Sequence, residues 1–216
     1  MNFSDAFSPS NLKFLAEGFL VTLEVAFIAI ILSFIVGCVV GTLRYTKLKV
    51  VSPILGVCVQ IIRNLPLLLV LFFTFFALPE IGIKMGVFTS AVVALTIFEG
   101  AMIAEIVRSG LNSIPKGQIE AGRASGLSYT QTLWHIVLPQ ALRRMVPPLV
   151  SQFISLLKDT SLAVIISLPE LMHNVQIVSA QHPNIVFPIL ILAAVAYFTV
   201  NYILSIISKR FESKFV

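Results

Sequence analysis

VAFIAIILSFIVGCVVGTL, residues 25–43, holds nineteen consecutive residues without a charge, and Arg44, Lys47 and Lys49 close it. A helix needs about 20 mostly apolar residues to cross roughly 30 Å of hydrocarbon. With the apolar lead-in from Phe19, the stretch Phe19 to Leu43 reads as a membrane-spanning helix.

The composition of the 216-residue chain agrees. Hydrophobic residues make up 57 % and charged residues 12 %, where soluble domains hold about 45–50 % and 25 %. Too few charges are available to cover a soluble globule. This excludes a soluble enzyme, a disordered protein and a nucleic-acid module. The net charge of +5 is then the mark of cationic loops that set topology. The two cysteines, Cys38 and Cys58, lie in apolar runs and read as buried free thiols. The N-terminus carries Asp5 ahead of Lys13 and lacks the basic region of a cleavable signal.

Further spans follow along the chain. Val50 to Pro79 carries one charge, Arg63, with Pro66 close behind. It reads as a lead-in helix, Val51 to Ile62, a break, and a deeper part, Leu65 to Leu78. Phe88 to Leu111 is the third helix, Met145 to Ile166 the fourth and Val186 to Ile207 the fifth. The fold class is an all-α polytopic membrane protein of five transmembrane helices, with residues 1–216 forming a single domain. Five spans place the termini on opposite sides. Arg44, Lys47, Lys49, Arg108, Lys116, Arg123, Arg143, Arg144, Lys209, Arg210 and Lys214 all fall on one side. The cytoplasm is therefore expected there, with the N-terminus outside and the C-terminus inside.

Residues 109–144 form the longest polar connection. Pro115 can open a short helix, and Gly126 suits the left-handed position that ends one. Ser128 with Gln131 fits a capping box for a second helix, which Pro139 should interrupt. Two short helices therefore meet at a glycine elbow that shows Leu127, Tyr129, Leu133 and Trp134. Such a patch suits either a partner or a loop folded onto lipid headgroups.

These residues resemble a family. Glu120-Ala121-Gly122, three residues, Gly126, nine residues, Ile136, one residue, Leu138-Pro139 is similar to the EAA loop of ABC importer permeases. Gly122 stands where Ala is usual, which should weaken only local helix propensity. Arg63-Asn64-Leu65-Pro66-Leu67-Leu68, Ala104-Glu105-Ile106-Val107-Arg108, Pro115-Lys116-Gly117-Gln118, Leu138-Pro139-Gln140-Ala141 and Lys158-Asp159-Thr160-Ser161-Leu162 resemble the polar-amino-acid permeases (His, Gln, Arg and Glu types). The resemblance implies a type I ABC importer permease fold, with residues 109–144 as cytoplasmic coupling helices. It assigns coupling to an ATPase to Glu120, Ala121, Gly122, Gly126, Ile136, Leu138 and Pro139. It further implies an ABC ATPase subunit that holds ATP and Mg, an identical or paralogous permease subunit, and an extracytoplasmic amino-acid-binding protein. The setting would be a bacterial cytoplasmic (inner) membrane. The chain itself has no Walker A motif, so it is expected to bind no cofactor and to perform transport, not catalysis.

Polar residues at membrane depth are functional candidates. Gln152, Ser155 and Asp159 share one helix face, and Ser151, Ser155 and Lys158 an adjoining one. Small hydroxyls there also fit helix–helix hydrogen bonding. The pair Lys158 and Asp159 suits the two charges of an amino acid. Successive residues diverge by about 100° on a regular helix, so a local break would be needed for both to reach one solute; Thr160 and Ser161 would add hydroxyls. Glu99 lines the pathway or pairs with a basic group on another helix. Glu105 and Arg108, spaced i, i+3, read as a structural ion pair. Glu24 is expected to reach the outer interface, and Arg63 to approach headgroups or cap the break before Pro66. His135, His173 and His182 have no metal-ligand spacing. Two other readings are a proton-driven secondary transporter using Glu99 or Asp159, and an intramembrane enzyme, for which no catalytic constellation is present.

Overall fold

The computed structural model describes residues 3–215, without the side chains of 3, 4, 208 and 211–215. Lys214, one of the eleven basic residues placed on one side, has its side chain outside that description. A short α1 (Phe3–Ala6) precedes α2 (Pro9–Tyr45). Ser8 caps α2, its Oγ accepting from Asn11 N–H at 3.4 Å, and Pro9 occupies the first turn. The first spanning helix therefore starts ten residues before the expected Phe19. Capping and proline set its start, while hydropathy sets only where hydrocarbon begins.

After a turn, α3 (Val51–Asn64) leads to α4 (Leu67–Phe72), which continues through a π turn (Phe73–Ala77) and a 3₁₀ turn (Leu78–Ile81). The two halves bend by 105° at Leu65-Pro66. Proline holds the preceding residue extended, and Leu65 has ψ 146°. Cys58 on α3 is exposed, not buried as its apolar surroundings suggested. Next come α5 (Val87–Asn112), α6 (Lys116–Ala124), α7 (Tyr129–Thr132) and, after a π turn at Leu133–Val137, α8 (Leu138–Asp159).

Pro139 does not interrupt the helical path. The π turn widens the backbone just ahead of it, so Pro139 enters at the first turn of α8, where its missing N–H costs nothing. Tyr129–Ile166 is consequently one 38-residue helical rod. At 1.5 Å per residue it is about 57 Å long, well beyond the hydrocarbon thickness. The fourth span thus begins outside the membrane, upstream of Met145. The chain tightens into a 3₁₀ segment over Thr160–Ile166 and stops at Ser167, in the left-handed region with φ 61°. Then α9 (Leu171–Gln181), too short to span, and α10 (Val186–Phe215) complete the chain. Among the described residues four helices are long and apolar enough to cross a membrane, and the bent α3/α4 pair, counted as one broken span, brings the number to five. This is an all-helical polytopic membrane fold.

The central seam lies between α2 and α5. Buried positions of α2 are small: Ala26, Ala29, Ser33, Gly37 and Gly41 at helical spacing. Phe27, Ile35 and Val39 on the other faces are exposed, as suits lipid or a partner. Lipid offers no hydrophobic gain for helix association, so close backbone approach carries it. A Cβ added at Gly41 would lie 2.6 Å from Ala104 O and 2.7 Å from Val107 Cβ. The elbow (residues 113–128) hangs from the end where α2 and α5 terminate. At the opposite end, Asn174 of α9 donates to Phe14 O at 2.7 Å.

Gly41→Ala is expected to destabilise the protein by about 1–3 kcal/mol, the cost of overpacking, even though Ala is the better helix former by about 1 kcal/mol. Gly56, with only Arg44 Nε near at 3.9 Å, should tolerate Ala or gain from it. Thermal unfolding in detergent compares the two; equal midpoints would refute the seam.

Candidate functional site

Two regions hold the residues singled out by sequence: the elbow and a polar line between α5 and α8. At the elbow, Pro115 caps α6. Gly126, with φ 86°, closes it in a Schellman motif: Leu127 N–H donates to Gly122 O at 3.2 Å, and Gly126 N–H to Arg123 O at 3.1 Å. Ser128 then caps α7 with both bonds of the capping box, 3.2 Å from Gln131 N–H and 2.8 Å back from Gln131 Oε1.

Gly122 is buried against α7 and the π turn. An added Cβ would stand 2.7 Å from Ile136 Cδ1 and 2.8 Å from Thr132 Cγ2. Its departure from Ala therefore concerns helix–helix distance as well as helix propensity. Glu120, Ala121, Gly126 and Pro139 are exposed, while Ile136 and Leu138 are half-buried. Tyr129 and Trp134 project outward at 54 % and 62 % exposure. Leu127 and Leu133 do not share that surface; Leu133 packs into the cluster of Leu111, Ile114 and Val137.

The polar line centres on Glu99, fully buried in the middle of α5. Gln152 Nε2 on α8 donates to Glu99 Oε2 at 2.6 Å. Oε1 receives no donor, and the Asp159 carboxyl lies within hydrogen-bonding reach of Glu99. No basic side chain pairs with Glu99 among the described residues. Ser155 is half-buried on the same helix. Lys158 is exposed and Asp159 half-buried; the backbone stays right-handed through Thr160 (φ −57°, ψ −30°) and tightens without unwinding, so the two side chains leave the helix about 100° apart. The break that would let both charges meet one solute is absent. Thr160 and Ser161 donate to Leu157 O and Lys158 O, each at 2.7 Å, so their hydroxyl protons turn back onto the helix.

A third group was only partly legible. Glu105 pairs with Arg108. Arg44, arriving 61 residues away on α2, donates to Glu105 Oε2 at 2.8 Å, and Arg63 at the α3/α4 break stands 3.6 Å from that oxygen. Arg63 thus faces a carboxylate; the side-chain amide of Asn64 beside it donates to Gln60 O. A cavity of about 400 Å³ opens beside this group, lined by Arg63, Glu105, Ser109, Ser113, Arg144 and Gln152.

Glu170 was missed altogether. Fully buried at the opposite end, it caps α9, accepting from Met172 N–H at 2.9 Å and His173 N–H at 2.8 Å, and also from Thr22 at 3.4 Å and Tyr197 at 3.2 Å. It ties α2, α9 and α10 together. A carboxylate just ahead of an apolar helical run was its only local signal. Glu24 is exposed on α2. No metal-holding group of His, Cys, Asp or Glu exists among the described residues.

Residues 29–216 match the family model described as binding-protein-dependent transport system inner membrane component. The probable glutamine ABC transporter permease protein GlnP of Bacillus subtilis (strain 168) is 65 % identical over 98 % of both chains. The L-cystine transport system permease protein TcyB of the same organism is 35 % identical over 93 % of this chain and 86 % of its own. Among solved structures, an amino acid ABC transporter with histidines superposes with a TM-score of 0.91 at 25 % identity, covering 99 % of each chain. The MetNI methionine ABC transporter in an inward-facing conformation gives a TM-score of 0.76 at 23 % identity over 97 % of this chain and 100 % of that one, a likeness of fold.

Glu105→Gln is expected to cost about 2 kcal/mol, since hydrogen bonds to charged groups contribute roughly 1.5–3 kcal/mol and Arg44, with a side chain 9 % exposed, would lose its counter-charge. Arg108→Gln should cost less, because Arg44 keeps its partner. Thermal unfolding in detergent measures both; an unchanged midpoint for Glu105→Gln would contradict the ion-pair hub.

Proposed function

The chain belongs to the family of binding-protein-dependent transport system inner membrane components, and from that premise we propose that it carries a polar amino acid across the bacterial inner membrane, coupled through its elbow to a separate ATPase. It is the membrane-spanning translocation subunit of an ABC importer. The family sets aside the proton-driven transporter. The cargo reading draws on the relatives, whose names specify glutamine and cystine.

The observation that carries the coupling role is the elbow itself. It is a capped helix–glycine–helix unit at one end of an apolar bundle, with Tyr129 and Trp134 turned outward and more than half exposed. Glu120, Ala121, Gly122, Gly126, Ile136, Leu138 and Pro139 build or line that unit. The ATPase that docks there supplies ATP and Mg. The elbow end faces the cytoplasm, where the basic residues concentrate, so the N-terminus lies outside and the C-terminus inside. A second permease subunit, identical or paralogous, completes the pathway, and an extracytoplasmic binding protein delivers the amino acid. Nucleotide at one end and binding protein at the other bias inward- and outward-facing arrangements by differential affinity.

Within the pathway, Glu99, Gln152 and Asp159 form the polar core, with Ser155 beside them. Glu99 and Asp159 suit the ammonium group of the cargo, because Glu99 Oε1 lacks a donor among the described residues. Lys158 lies exposed on the neighbouring face and serves the same solute only from outside this carboxylate pair. Thr160 and Ser161 offer acceptor lone pairs alone.

A Cβ at Gly126 meets nothing within 4 Å, so a substitution there disturbs only the left-handed backbone or a docked partner. Gly126→Asp should abolish ATP-driven amino-acid uptake in proteoliposomes while membrane insertion persists. Full uptake by this variant would overturn the coupling role of the elbow.

A further inference from the structure

The carboxylate of Glu105 is saturated. Its Oε2 accepts from Arg44 Nη1 at 2.8 Å and Arg108 Nε at 3.3 Å, while Oε1 accepts from Arg108 Nη2 and from Ser109 Oγ at 3.4 Å. Arg63, at 3.6 Å, makes an ion-pair contact without a hydrogen bond. Arg144 donates to a neutral group, the carbonyl oxygen of Ser113, at 2.6 Å. Three guanidiniums therefore gather around one carboxylate, and the least engaged of them, Arg63, lines the same cavity of about 400 Å³ as Arg144.

Each arginine presents five N–H donors in a planar fork that matches a carboxylate or phosphate. Arg63 and Arg144 are both exposed in this chain, so their remaining N–H donors are open to an anion that enters the cavity. The cavity shares one residue with the polar line. Its wall includes Gln152, the residue that holds Glu99, about 12 Å along α8 from Arg144 at 1.5 Å per residue. Its volume falls within the range of about 300–1,000 Å³ usual for small-molecule sites.

We propose that this cavity is a carboxylate site, in which Arg63 and Arg144 take the carboxylate of the transported amino acid between the Glu99–Gln152 level and the elbow end of the bundle. The site rests on the amino-acid importer reading. The ammonium and the carboxylate of an α-amino acid hang from one carbon, so the carboxylate pair and the arginine pair, about 12 Å apart along α8 at 1.5 Å per residue, meet the solute in turn and not together. The polar connection to Gln152 favours the solute over a lipid phosphate as the source of the anion.

The test uses the nucleotide-free complex of both permease subunits with the ATPase, without the binding protein, in nanodiscs of phosphatidylcholine. The twenty L-amino acids are screened for binding, and the tightest binder is compared with its own α-carboxamide, which lacks the negative charge. The native protein should prefer the acid about tenfold or more, the scale of one charge-assisted bidentate contact. Arg63→Gln and Arg144→Gln should each lose that preference by weakening the acid alone. Unchanged carboxamide binding shows that these variants are folded, and Arg63→Lys should restore part of the preference. A preference that survives both glutamine substitutions overturns the site while leaving the importer reading intact. Binding by none of the twenty overturns the importer reading and the site together. Phosphatidylglycerol added to the discs should leave native affinity unchanged. If it weakens the native protein about tenfold but not the variants, the arginines hold a lipid phosphate and the carboxylate assignment fails.

Discussion

Gly37 and Gly41 bring α2 against Ile103, Ala104 and Val107 of α5 at distances no larger residue would permit. A Cβ at Gly37 would stand 2.4 Å from Ile103 Cγ2. In a bilayer this contact has no hydrophobic substitute, since lipid tails solvate leucine as well as another helix does. The seam fixes what the remaining elements meet. It carries Arg44 to Glu105, and it turns the Glu99 face of α5 toward Gln152 on α8. It also ends both helices at the level where the elbow begins. Loosening it by one methyl group would shift three functional regions at once.

Along the bundle axis, charges sort by kind. Toward the elbow, arginines outnumber their carboxylate partner. In the middle, Glu99 and Asp159 have no basic partner among the described residues. At the far end, Glu170 is held by neutral donors from three helices. A bundle built only for stability would have little reason to bury so many ionisable groups, because each is costly away from water. A translocation pathway of the proposed kind would account for their presence in a chain with few charges, and Glu170 with its four donors joins α9 to α2 and α10.

Hydropathy located the five spans, because a 20-residue apolar requirement leaves few alternatives, and Arg63 with Pro66 marked the α3/α4 break. The elbow was legible for a different reason. A Schellman glycine and a capping box are local devices, complete within six or seven residues. Helix ends were less legible: Ser8-Pro9 set the start of α2 ahead of the hydrocarbon, and a π turn admitted Pro139 into a continuous rod. Long-range partners were not legible at all. Nothing near Glu105 indicates Arg44, and nothing near Glu170 indicates Thr22, 148 residues away. The four-residue spacing of Gly37 and Gly41, a signature of close helix packing, went unread in the sequence. The direction of Lys158 was set by a helix that tightens where unwinding would have been needed, a choice made by tertiary packing of the buried Thr160, Ala163 and Ile166.

The central claim is that this chain moves an amino acid only as part of an ATP-driven assembly. Reconstitution in proteoliposomes tests it most directly, with radiolabelled amino acid outside and ATP inside. The account predicts uptake only when this chain, its permease partner, the ATPase and the binding protein are all present, and no uptake when any is omitted. Accumulation by this chain alone under a proton gradient, indifferent to ATP, would contradict it.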